Sequence, residues 1–163
     1  MLLQWYFFPK IQQKLNMKQS KEEKNFLNMA GEYGVCSELQ KRGISASITY
    51  GKEKAADIII VKDKKAYVVE VKTSMTKRIV TSFFQKFHTP DTTPYPDFWV
   101  VVQIDSKTFV SDFYILTHKE MAKEQMIRNR MTAWQEVKGG VDNIELPQLE
   151  KYKSKWNTIL NIV

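Results

Sequence analysis

The stretch AYVVEVKT (residues 66–73) sets two charged side chains into a run of strong strand formers. Side chains alternate across a strand, so Glu70 and Lys72 share one face and Val69 and Val71 the other. Thirteen residues before Glu70, Asp57 opens a second apolar run, DIIIV. The charged link Lys62-Asp63-Lys64-Lys65 between the runs has the length of a hairpin turn. An antiparallel pair joined there brings Asp57 and Glu70 together at one end. Two carboxylates with an ammonium group beside them suit metal-assisted hydrolysis of a phosphodiester. Mg2+ (or Mn2+) prefers hard oxygen ligands and keeps several waters, so one or two carboxylates and a substrate phosphate suffice to hold it. The ion screens the phosphate and acidifies a bound water, which a lysine can orient. The competing reading is structural, because exposed Glu-x-Lys pairs also occur on ordinary edge strands.

Composition excludes other chemistries. One cysteine forms no intramolecular disulfide, and two histidines, His88 and His118, thirty positions apart, assemble neither a zinc finger nor an HExxH site. The 163 residues are 43% hydrophobic and 26% charged, which suits one globular domain with its own core. The net charge is +7, and residues 40–86 carry eleven bases against four acids, a surplus equal to the whole net charge. Asp57, Glu70 and Lys72 lie in this interval. Lys41, Arg42, Lys52 and Lys54 precede Asp57, and Thr73, Ser74, Lys77, Arg78 and Lys86 follow Lys72. Basic and hydroxyl groups so placed hold phosphates without reading base sequence. DNA is the expected partner, with Lys52, Lys54, Thr73, Ser74, Lys77 and Arg78 as its contacts.

Regular elements must position these groups. Ser20 followed by Glu23 is a capping-box pattern that opens a helix running towards Arg42 and stopping at Gly43, with a bend expected at Gly31 or Gly34. Glu32, Val35, Cys36 and Leu39 recur at helical spacing, so a carboxylate sits on an otherwise apolar, core-facing stripe. Cys36 reads as a small buried hydrophobe, since no histidine lies nearby in sequence to activate it. Strands are expected over 44–50, 57–61 and 66–73, forming a meander, and again over 98–104 and 113–116. Residues 76–87 read as a helix whose Phe83, Phe84 and Phe87 belong to the core. Gln85 lies between them on the polar side. Thr117 with Glu120 caps a helix to about residue 130, with His118 at its start or on the surface. Pro147 begins a final helix carrying Leu149, Tyr152, Trp156 and Leu160 on one stripe. Trp134 and this tail are candidate homodimer contacts, core packing being the alternative.

The N-terminal MLLQWYFF is too short to span a bilayer and has no basic residue ahead of it, so neither a membrane anchor nor a secretory signal is expected and a cytoplasmic location is. Residues 1–19 read as an extension, either a clamp on the domain or a neighbouring subunit, or sequence ahead of a natural start at Met17. Residues 20–163 read as one nuclease-like domain.

Glu32, Asp57 and the tripeptide Glu70-Val71-Lys72, on helix, strand and strand, resemble the PD-(D/E)xK nuclease superfamily of restriction-endonuclease-like folds. The stretch GEYGVCSELQKRG is similar to the first helix of archaeal-type Holliday junction resolvases. The resemblance covers residues 20–104. It implies an α/β fold with an αβββαβ core, a mixed central sheet flanked by helices, and C-terminal helices added to it. It also implies Asp57 and Glu70 as metal ligands, Lys72 as the catalytic lysine, and Glu32 as a further carboxylate at the metal or its water shell. The residue before the motif aspartate is Ala56 rather than proline, which in the family shapes the backbone and supplies no ligand. The expected activity is Mg2+-dependent endonucleolytic cleavage of DNA, of a restriction, homing or junction-resolving kind. Two other readings stay open: a nuclease-like module that binds DNA or a protein without cleaving, and a small α/β interaction protein with a charged edge strand.

Overall fold

A computed structural model of the chain describes residues 20–51, 56–87, 95–131 and 141–162. In chain order the elements are α1 (Lys21–Lys41), β1 (Ala46–Ile48), β2 (Ile58–Lys62), β3 (Lys65–Ser74), β4 (Arg78–Val80), α2 (Phe83–Phe87), β5 (Phe98–Ile104), β6 (Ser111–Thr117), α3 (His118–Arg128), β7 (Asn143–Glu145), α4 (Leu146–Leu149), a 3-10 turn (Glu150–Tyr152) and α5 (Asn157–Leu160). The fold class is the expected α/β one. A five-stranded mixed sheet in the order β1-β2-β3-β5-β6 is antiparallel except where β3 runs parallel to β5. Helix α1 covers one face, and α2 and α3 cover the other.

Helix α1 starts at its capping box: Glu23 N–H donates to Ser20 Oγ at 3.1 Å and Ser20 N–H to Glu23 Oε2 at 3.0 Å. Two otherwise unpaired donors are satisfied reciprocally. The helix continues unbroken through both glycines, so neither interrupts it. Gly31 serves a different purpose, close approach: a Cβ built there would lie 1.8 Å from Thr73 Oγ1 on β3. The buried residues of α1 are Gly31, Glu32, Val35 and Leu39. Val35 and Leu39 pack with Val69, Val71, Phe98 and Val100 in one core, while Phe83, Trp99, Tyr114, Leu116 and Met121 form the other. The meander turns at Asp63 and Lys64, whose φ of 50° and 64° give the left-handed geometry that suits a tight hairpin between twisted strands.

Two expectations are corrected. Residues 76–87 are not one helix. Ile79 is buried between exposed Arg78 and Val80, a period of two, and these residues pair with β7 in a small second sheet; helix begins only at Phe83. The short α2 is held from a distance by Asp142, whose Oδ1 and Oδ2 accept the N–H groups of Phe84 at 2.6 Å and Gln85 at 3.2 Å. The C-terminal tail is not one amphipathic helix either. It breaks around Ser154, which bonds Phe113 O through its N–H at 2.8 Å, and so crosses the edge of β6. Leu149 and Tyr152 enter the core on the α3 side, and Trp156 and Ile159 enter the core under α1. Trp156 therefore packs within its own chain, against Phe113 and under the Arg42 guanidinium, and the tail protects the exposed edge of the sheet. Among the described residues no helix is long and apolar enough to cross a membrane. Trp134 lies outside the described residues.

His118 opens α3 but is no surface ornament. Its ring stacks on Phe83 at 5.2 Å and lies 4.6 Å from Tyr95, and its Nδ1 accepts the Trp99 indole N–H at 3.1 Å. Burial pushes its pKa down from 6.5 to about 4 against the opposing pull of Asp97. Between those values the unfolded chain binds a proton that the folded ring refuses, so stability is full above pH 6.5 and falls as pH drops towards 4. The expected loss is about 2 kcal/mol, reduced from the full-burial value because the ring keeps some solvent access. Urea melts between pH 7 and 4.5 measure it; a pH dependence equally large in His118→Gln would refute the assignment.

Candidate active site

Strand β3 is ten residues long and β2 only five. Their ladder ends at the pair Ile58–Val69, so beyond it the β2-facing edge of β3 lacks a strand partner. Asp57, the residue before β2, fills the first gap: its Oδ2 accepts the Val71 N–H at 2.7 Å. Its own backbone is held from the other side, where the Thr49 N–H donates to Asp57 O at 3.0 Å and the Thr49 hydroxyl donates to Ala56 O. These bonds fix the carboxylate with alanine rather than proline at position 56.

At this opening the two faces of the sheet communicate. Glu32 comes from α1 on one side, and Glu70 and Lys72 come from the opposite face of β3, neighbours of Trp99 and Val101 in the ladder. All four expected residues, Glu32, Asp57, Glu70 and Lys72, line one cleft of about 390 Å³ with Asn28, Met29, Tyr33, Tyr50 and Lys86 among its other walls. The three carboxylate residues are 9%, 8% and 5% exposed respectively, a burial that charged groups tolerate only with partners. Glu70 Oε1 accepts from Lys72 Nζ at 2.8 Å and from Lys86 Nζ at 2.5 Å. Burial pushes the Glu70 carboxyl up, but the ammonium of Lys72, its hydrogen bond, and Lys86 together outweigh this and hold it below the usual range. Lys72 Nζ also lies 6.0 Å from the Trp99 ring centre, against an apolar wall.

The cleft is not a preformed three-carboxylate cage. Among the described residues no three Asp, Glu, His or Cys side chains gather closely enough to hold a metal ion. The donor chemistry nevertheless suits a hard divalent cation, for which one or two carboxylates and water are enough. The formal charges of the lining are three negative, from Glu32, Asp57 and Glu70, and two positive, from Lys72 and Lys86.

The flanking contacts expected from sequence divide. By the alternation of β3, Thr73 faces α1, and its Oγ1 is buried under Gly31 with no hydrogen-bond partner. Ser74 Oγ is engaged locally, accepting the Thr76 N–H at 3.0 Å. Lys77 and Arg78 are exposed but lie beyond the cleft lining, Arg78 in β4. Lys52, Lys54 and His88 lie outside the described residues. The contact of Lys86 with Glu70 was not legible, because α2 is too short to reveal which way its polar side faces until Phe83 and Phe84 are seen to be buried. The hydrogen-bonded pair Tyr33 and Tyr50, hydroxyls 3.0 Å apart at the cleft, was likewise missed.

The sequence matches no protein-family model and no curated protein. In structure the chain is similar to the bacterial homing endonuclease I-Ssp6803I, with a TM-score of 0.53 and 13% identity over 88% of this chain and 94% of that one. At that identity the likeness establishes a shared fold.

Proposed function

We propose that the chain is a Mg2+-dependent DNA endonuclease of the PD-(D/E)xK type, hydrolysing phosphodiester bonds with a water activated at the cleft. The observation that carries this reading is the joining of Glu32, Asp57, Glu70 and Lys72 in one cleft at the place where β3 outruns β2. The described lining has one formal negative charge in excess, and a phosphodiester is itself an anion. A divalent cation is the group that would reverse that repulsion. Asp57 and Glu70 would hold it, with Glu32 at its water shell, and when bound it supplies charge to the phosphate and acidity to water. The chain's residues do the rest. Lys72, fixed by β3 and backed by Trp99, donates a hydrogen bond to the water that attacks phosphorus and so favours release of that water's proton to solvent. The attacking oxygen forms a bond to phosphorus as the bond to the leaving ester oxygen breaks, and that oxygen is protonated from solvent. The apolar wall beside Lys72 limits solvation and strengthens these charges. The fold shared with a homing endonuclease agrees with DNA as substrate.

A second reading has support from one observation. Glu70 already satisfied by two lysines is also what a DNA-binding module without catalysis would show. The two diverge on incubation of supercoiled and branched DNA with the wild-type chain in Mg2+, Mn2+ or EDTA. Nicking that requires the cation is expected. Retention of DNA with no nicking under any cation would select the binding module instead.

A further inference from the structure

We propose that Lys86 is an exchangeable partner of Glu70: it holds the carboxylate while the cleft is free of cation and passes to a substrate phosphate when a divalent cation arrives. This inference rests on the metal-dependent reading above. Lys72 and Lys86 both donate to the same oxygen, Oε1, yet they are held differently. Lys72 is two residues from Glu70 on the same strand, its side chain 18% exposed and backed by Trp99. Lys86 arrives from α2, and its side chain is 46% exposed at the cleft. The backbone under it is anchored by buried Phe83 and Phe84 and by the Asp142 carboxylate. The moving part is therefore the flexible four-carbon stem of Lys86, not the helix.

A carboxylate oxygen that accepts two ammonium groups cannot also meet a divalent cation without strong repulsion among three positive centres. The partner released at least cost is the one that regains the most water and rotamer freedom, which is Lys86. Once released at the cleft, its ammonium faces an anionic phosphate as its natural next partner. Without cation Lys86 is occupied by Glu70 and contributes little to DNA affinity; with cation it contributes a phosphate contact. Cation and DNA thus bind cooperatively through one side chain, and the coupling is reciprocal.

The test compares the wild type with Lys86→Ala and Lys86→Arg. Mn2+ is titrated by calorimetry without DNA, and a labelled DNA duplex is titrated at several salt concentrations with Ca2+ or EDTA. Removing one competing positive charge should let Lys86→Ala bind Mn2+ about 3–10-fold more tightly than the wild type. Its salt slope for DNA binding in Ca2+ should be shallower by about one, with no change in EDTA, while Lys86→Arg keeps the wild-type slope. Unchanged Mn2+ affinity and slope in Lys86→Ala would reduce Lys86 to a structural ion pair and overturn the proposal. Weaker Mn2+ binding would also overturn it, making Lys86 a support for Glu70 rather than its competitor. If the wild type binds no Mn2+ and nicks no DNA, the metal-dependent reading fails and this one with it. A wild type that binds and nicks beside a silent Lys86→Ala defeats this inference alone. Thermal melts check folding; should Lys86→Ala not fold, Lys86→Gln carries the same comparison.

Discussion

Glu70→Gln and Lys72→Met each lower cation-dependent DNA nicking by about 10²–10³-fold, the range seen when one group preorganised at a developing charge is removed. The two substitutions separate chemistry from folding because their structural costs differ. Glu70 is the shared acceptor for Lys72 and Lys86, and its side chain is only 7% exposed. Its neutral replacement leaves a poorly hydrated ammonium without its anion, a cost of about 1–3 kcal/mol. Lys72→Met leaves Glu70 paired with Lys86 and adds an apolar side chain beside Trp99, so its melting temperature should stay near that of the wild type. An inactive but fully folded Lys72→Met is thus the decisive result. The double variant should be little worse than Glu70→Gln, since groups that act as a unit lose their effect together. Nicking by both single variants at the wild-type rate would remove Glu70 and Lys72 from the mechanism.

Gly31→Val destabilises the fold by about 3 kcal/mol, at the upper end of overpacking costs, because the new side chain meets a strand rather than a flexible neighbour. A Cβ at this position would lie 1.8 Å from Thr73 Oγ1 and 2.9 Å from Thr73 Cβ. The hydroxyl can rotate aside, but the Cβ moves only with the strand, and β-branched side chains in strands have few rotamers to spare. Gly31→Ala should lose less, since alanine's helix propensity returns about 1 kcal/mol. A double-mutant cycle with Thr73→Ala isolates the contact: removing the hydroxyl and methyl should recover most of the Gly31→Ala loss, though not the part owed to the remaining Cβ. Additive effects in urea denaturation would show that α1 and β3 do not meet at these residues. The prediction bears on the site as well as on stability. Glu32 follows Gly31, so pushing the helix off β3 withdraws a carboxylate from the cleft, and activity should fall with the fold still formed.

How far the chain could be read from its residues depended on the range of the forces involved. The α1 capping box, the inward Glu32 and the β2–β3 hairpin all follow from bonds and periodicities within a few turns of chain, and each is present. The short turn between β2 and β3 likewise sets Asp57 and Glu70 just past the end of the ladder that stops at Ile58–Val69. Thr73, next after Lys72, falls on the α1 face of β3 because strand side chains alternate. Strand β4 and the tail show the opposite limit. Arg78–Val80 becomes a strand only because Asn143–Glu145 arrives to pair with it, and α2 is capped by an aspartate far away in sequence. The tail's apolar residues looked like one helical stripe, yet they divide between two cores because the chain must cross the edge of β6.

The sequence by itself determined the chemistry on offer: hard carboxylates and a lysine on neighbouring strands, a further carboxylate facing the core from the first helix, and a basic surplus around them. These are matters of residue type and local period, encoded within short stretches. Only the tertiary structure decided how they meet. It opened the cleft where one strand outlasts its neighbour, closed α1 onto β3 at a glycine, and brought Lys86 to the oxygen that Lys72 already holds. Those contacts join residues distant in sequence, and their energies arise only when burial and loop closure have brought the elements together.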